Sequence, residues 1–158
     1  MPGTIEAKLA ALGHTLPTPP KPVATYVPFV RSGALLTVSG QLCLPPDGKL
    51  QHVGKIGVDF DVPAGQEAAR FAALNVLAQV KAAIGDLDRV KQVVRLGGFI
   101  NVAGSYPGIA QVMNGASDLM VAVFGDRGRH ARSTVGVAEL PLGALVEGAF
   151  TELFAFAG

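Results

Sequence analysis

From Pro63 to Ile84 apolar residues return every third or fourth position, with Phe71, Leu74, Leu77, Val80 and Ile84 set in an alanine-rich background. That period fills one face of an α-helix, and Pro63 suits a first helical turn, so the spacing predicts a long helix there. The stretch from Pro107 to Gly125 repeats the signal. Its Ile109, Val112, Met113, Ala116, Leu119, Met120 and Val123 share one broad apolar side, and Gly125 is placed to stop it. Between the two helices, VKQVVRLGGFINV alternates as a strand does.

Upstream, YVPFV and ALLTVSG flank RSG and read as a hairpin whose Pro28 keeps its strand at an edge. Residues 41–58 contain the turn signal PPDGK and form a looser excursion with short strand pieces. Two further strands are predicted near 131–138 and 144–156, with ELPLG as the break between them. At the N-terminus Ile5, Leu9 and Leu12 fall on one helical face, with Thr4 as the expected cap and Gly13 as the stop. Prolines 17, 19, 20 and 22 then make a stiff connector. This divides the chain into an N-terminal extension, residues 1–22, and a domain over residues 23–158. The fold class is α+β, with two long helices on one face of a mixed sheet.

At 158 residues the chain can build one core, not two. Hydrophobic residues make up 49% and charged residues 16%, more apolar surface than a soluble monomer of this size requires, so part of it is expected in a subunit interface. The formal charge of +1 comes without a dense basic run, which argues against nucleic acid as a partner. A single cysteine, Cys43, excludes a disulfide within the chain and points to a reducing cytoplasm; flanked by Leu42 and Leu44, it is expected to be packed rather than reactive. With no run of about 18 uncharged apolar residues, a membrane partner is not expected. His14, His52 and His130 lack ligand-like spacing, so no metal is expected. Arg127, Arg129, His130 and Arg132 cluster after the second long helix and suit its negative end.

Two charges stand inside the last apolar strands. Arg132 and Glu147 lie fifteen positions apart, and an ionised carboxylate among apolar neighbours needs a cation or several donors. Arg132, on the preceding strand, is the expected partner. The pair reads either as a structural ion pair, as two solvent-facing charges of an edge strand, or as a site for a small anion. In the last case the guanidinium fork takes a carboxylate and the glutamate holds or activates a water.

VSGQ at 38–41, Tyr26, the helix carrying Gln66 and Asn75, RLGGFIN, and above all ARSTVGVAELPLGALVE together resemble the YjgF/RidA family of reactive-intermediate deaminases, long known as endoribonuclease L-PSP. The resemblance covers about residues 23–156, and the N-terminal extension resembles that of a longer subgroup. It implies a chorismate-mutase-like fold assembled as a homotrimeric barrel, with clefts between subunits. It implies hydrolysis of small 2-imino or enamine acids to 2-keto acids and ammonia, with no cofactor. Carried onto this chain, Arg132 would hold the substrate carboxylate, Glu147 would position the attacking water and the Gly40 backbone would contact the substrate nitrogen. Tyr26, Ser39 and Asn114 match positions lining the cleft, and Thr134 stands where the family commonly has cysteine. A non-catalytic carboxylate-binding protein of the same fold is the alternative, and ribonuclease activity a third and disfavoured reading.

Overall fold

The computed structural model describes residues 3–19, 21–22, 24–148 and 152–157. The first long helix, α2, runs Val62–Ile84. The Asp61 side chain accepts the Ala64 amide at 3.0 Å, satisfying one of the N–H groups a helix start leaves unpaired, and Pro63 occupies the first turn. The second, α3, runs Ile109–Phe124 and stops at Gly125, whose φ of 63° lies in the left-handed region that favours glycine. Both helices pack on one face of a seven-stranded sheet, with Leu74, Leu77, Val80, Val112, Met113 and Met120 in the core between the layers.

The centre of the sheet is the long strand β4, Val90–Asn101. One of its edges carries β5, Ala131–Val137, in parallel. The other carries β6, Val146–Gly148, and β7, Glu152–Phe156, both antiparallel. Beyond β6 lies β3, Gln41–Leu42; beyond β7 come β2, Leu35–Val38, and β1, Phe29–Ser32, at the margin. The expected hairpin is thus β1–β2, and Pro28 immediately precedes the edge strand. The expected single strand over 144–156 is interrupted. Gly98 pairs with Gly148 and Arg95 with Leu153, so five steps of the last segment span three of β4. The interrupting residues 149–151 lie outside the described part.

Helix α1, Thr4–Ala11, adds to the same core, since Ile5 and Leu9 are each only 1% exposed. Burying two such side chains stabilises the fold by about 1.5–3 kcal/mol each. Its cap differs from the one expected. Thr4 is already helical, and the first amides are capped from 84 and 83 residues away, where Asp88 accepts Thr4 N and Ile5 N at 2.8 Å each. Those two donors hold the Asp88 carboxyl below its ordinary pKa. Glu6 adds an ion pair to Lys81 of α2 at 2.7 Å.

Side-chain parity separates the two faces of the sheet. Leu36 and Val38 of β2 are buried under the helices, so Leu35 and Thr37 point to the opposite face, where Leu35, Val30 and Val135 are 41%, 57% and 45% exposed. Among the described residues no helix covers that second face. Cys43 is fully buried, and desolvation pushes its thiol pKa up, as expected for a packed cysteine. Among the described residues no helix is long and apolar enough to cross a membrane.

Candidate functional site

Arg132 and Glu147 are not partners within one chain, and the register shows why. Arg132 of β5 lies opposite Leu96 of β4, whereas Glu147 of β6 lies opposite Phe99. Leu96 and Phe99 are three residues apart on one strand, so they point to opposite faces and take their neighbours with them. The expected intrachain ion pair is therefore corrected. Neither charge faces bulk water alone, however, because each sits in its own polar half-site.

The cationic half lies on the helix side at the sheet edge. Arg132 Nη1 donates to Asn114 Oδ1 at 2.9 Å and to Ser117 Oγ at 3.1 Å, and Nη2 donates to the Ala110 carbonyl at 3.2 Å. Residues 110, 114 and 117 line one side of α3, the spacing at which helical turns stack. A guanidinium carries five N–H donors. Three are used here; Nε–H and one Nη2–H have no acceptor among the described residues. Two positions along β5, Thr134 shares this side, and its buried hydroxyl has no hydrogen-bond partner among the described residues.

The acidic half lies on the open face. Glu147 lines a cavity of about 450 Å³ with Tyr26, Val30, Thr37, Ser39, Gly40 and Pro141. A second cavity of about 210 Å³ shares Tyr26 and Gly40 and is bounded by Lys21 of the connector. Burial pushes the Glu147 carboxyl above the ordinary glutamate pKa, because removing water disfavours the charged form. Gly40 brings its backbone close to the carboxylate: a Cβ there would overlap Glu147 Oε1 and stand 3.1 Å from its carboxyl carbon, so a larger residue displaces that carboxylate. Ser39 turns its hydroxyl to the Val27 carbonyl at 2.6 Å and so ties the β2 end to the segment carrying Tyr26, itself 53% exposed.

All seven predicted site residues thus fall into two groups, Arg132, Asn114 and Thr134 on one face and Glu147, Gly40, Ser39 and Tyr26 on the other. The basic cluster at 127–132 differs from a solvated helix end. Arg127 donates to the Val90 carbonyl at 2.7 Å, His130 bonds Ser117, and Arg132 is locked on α3. Among the four, Arg127 and Arg129 are exposed, and Arg129, 72% exposed, pairs with Asp126. Ser117 was not predicted at all. The sequence signal was present, since Ser117 follows Asn114 by three positions on one helix, but only the strand opposite gives that spacing meaning.

The chain matches the family described as "YjgF/chorismate mutase-like, putative endoribonuclease" over residues 6–155, and it belongs to that family. Protein TCP17 of Trypanosoma cruzi is 49% identical over 146 residues, 92% of this chain and 91% of that protein. The crystal structure of Atu1372 from Agrobacterium tumefaciens superposes with a TM-score of 0.89 at 44% identity, over 98% of this chain and 94% of its own. Escherichia coli TdcF, solved with bound serine, is more distant, with a TM-score of 0.60, 26% identity, and coverage of 89% and 92%. The fold is the chorismate-mutase-like one expected from the sequence.

Proposed function

We propose that the chain hydrolyses small 2-imino or enamine acids to 2-keto acids and ammonia, at clefts completed between subunits of a homotrimer. The observation that carries this reading is the division of the site. A carboxylate-binding fork and a carboxylate base sit on opposite faces of one sheet, so neither half is complete until a second copy brings its own counterpart across. The uncovered apolar face supplies the surface for that assembly.

In the completed cleft the free Nε–H and Nη2–H of Arg132 take the substrate carboxylate as a bidentate pair, with Asn114 and the Ala110 carbonyl holding the guanidinium from behind. Across from it, Glu147 of the neighbouring copy accepts a proton from water as the water oxygen bonds to the imine carbon. Glu147 gives that proton to nitrogen, forming the carbinolamine; it then takes the carbinolamine hydroxyl proton and delivers it to nitrogen as the C–N bond breaks, so the carbonyl forms and ammonia leaves. A carboxyl whose pKa lies above the ordinary range is suited to taking and returning that proton. The Gly40 backbone lies within the reach of Glu147, where the substrate nitrogen would stand. An imine is already electrophilic, so orientation and one delivered water supply most of the rate, and no cofactor is needed.

The test is release of ammonia and pyruvate from iminopyruvate generated in situ. Arg132→Ala and Glu147→Gln should each reduce turnover by at least about 10²-fold. Equal rates for native protein and Arg132→Ala would overturn the proposal. Carboxylate binding without turnover is a second reading, favoured by the serine bound to TdcF; saturable binding of serine with no hydrolysis of any imino acid would support it. The word endoribonuclease in the family description raises ribonuclease action as a third reading, to which a net charge of +1 and the absence of tryptophan give little support.

A further inference from the structure

Behind Arg132 lies a hydrogen-bonded chain that the reaction as described does not use. His130 Nδ1 stands 2.5 Å from the Gly128 carbonyl, and a carbonyl can only accept, so Nδ1 carries the proton. Nε2 of the neutral ring is therefore a lone pair, and the Ser117 hydroxyl, 2.9 Å away, donates to it. The oxygen of that hydroxyl then receives the Arg132 Nη1–H. Every donor points the same way, from Arg132 to Ser117 to His130 to Gly128.

The far end of this chain is fixed by packing. Gly128 is buried against the backbone of α3, where a Cβ would come within 2.6 Å of the Met120 carbonyl carbon and 2.9 Å of Val121 N. No other residue fits there without moving the helix, so the carbonyl that sets the His130 tautomer has one place to be. Burial lowers the His130 pKa, the Gly128 carbonyl opposes this, and the nearby Arg132 charge lowers it further. The other charged groups of the surrounding elements are Asp118 on α3, Asp126, Arg127 and Arg129 in the turn, and Lys91 and Arg95 on β4. Asp126 pairs with Arg129, Arg127 binds the Val90 carbonyl and Arg95 binds Ser133, and all of the acids are exposed.

We propose that His130 is a positioning residue for the carboxylate site: acting through Ser117, it fixes the guanidinium of Arg132 so that the two free N–H groups face a substrate carboxylate together. This rests on the reading of Arg132 as the carboxylate-binding group. A long side chain ordered before the ligand arrives saves the cost of ordering it on binding, which for one such side chain corresponds to about two- to tenfold in affinity. The effect belongs to binding and not to the chemical step, because Ser117 and His130 lie behind the fork.

The test uses the full chain with pyruvate as the binding probe and iminopyruvate as substrate. Ser117→Ala and His130→Leu are expected to raise the pyruvate Kd and the KM about five- to tenfold while kcat stays within twofold. Ser117→Thr and His130→Gln, which can restore the hydroxyl and the acceptor, should recover most of the affinity. The ring ¹⁵N shifts of His130 should report the Nδ1–H tautomer and respond to pyruvate. Unchanged Kd in Ser117→Ala and in His130→Leu, or an Nε2–H tautomer, overturns the positioning role even where Arg132→Ala abolishes binding. Unchanged Kd in Arg132→Ala instead overturns the carboxylate reading on which it stands. If His130→Leu fails to fold, Ser117→Ala against Ser117→Thr carries the comparison.

Discussion

Replacing Gly40 by alanine perturbs the acidic half-site through a single atom. The added Cβ would overlap Glu147 Oε1 and stand 3.1 Å from the carboxyl carbon, so the carboxylate must retreat by about 1 Å to regain ordinary contact. The atom displaced is the free end of a flexible side chain beside a cavity of about 450 Å³, which gives it somewhere to go. Folding should therefore lose no more than about 1 kcal/mol, of the order of an off-rotamer side chain. The proposed reaction is less tolerant, because a shift of about 1 Å in the group assigned to position the water costs about 10²-fold. The assay pairs a thermal melt with turnover of iminopyruvate, measured for the native protein, Gly40→Ala, Glu147→Gln and the double variant. The two effects should not add, since the alanine acts only through the carboxylate that the glutamine already removes. A Gly40→Ala enzyme within twofold of native would refute the reasoning, and so would an additive double variant.

Asp88→Ala removes the cap that α1 borrows from the turn before β4 and should destabilise the fold by about 1–2 kcal/mol in urea melts. The Asp88 pKa is lowered on folding, so its contribution is present above the ordinary aspartate value and is lost as pH falls through the folded one; the gap between native and Asp88→Asn should close in acid. Glu147 has the opposite sign. Its raised pKa means that ionisation costs the folded state stability as pH rises past the ordinary glutamate value, so Glu147→Gln should melt higher than native at neutral pH while losing activity. For the same reason the acid limb of the kcat/KM profile should lie above the ordinary glutamate pKa. Sedimentation equilibrium should give three subunits per particle, and a stable active monomer would contradict a site shared between copies.

The local periods of the chain were enough to place its main elements. Helix α2 begins at Val62 where Pro63 was expected, helix α3 ends at the predicted Gly125, and β4 covers the alternating run that spans VKQVVRLGGFIN. These features depend on neighbours three or four residues apart, or two, and a sequence displays them directly. The seven residues proposed for the site could be named from the sequence as well, through the spacing from Arg132 to Glu147 and the motifs around it. Their grouping was not. Which face each charge occupies depends on whether Leu96 or Phe99 of β4 lies beside it, and that register is set by two separate strands docking on opposite edges of the same one. The Asp88 cap on α1 spans 83 residues, and the Ser117–His130 contact joins a helix to the start of a strand. Both require chain segments to meet that carry no mutual signal along the sequence. The sequence by itself therefore determined the elements, the chemistry available and the family pattern, because these are local. Only the tertiary structure decided that Arg132 and Glu147 face away from each other, because side-chain direction across a sheet follows from strand pairing and not from position along the chain.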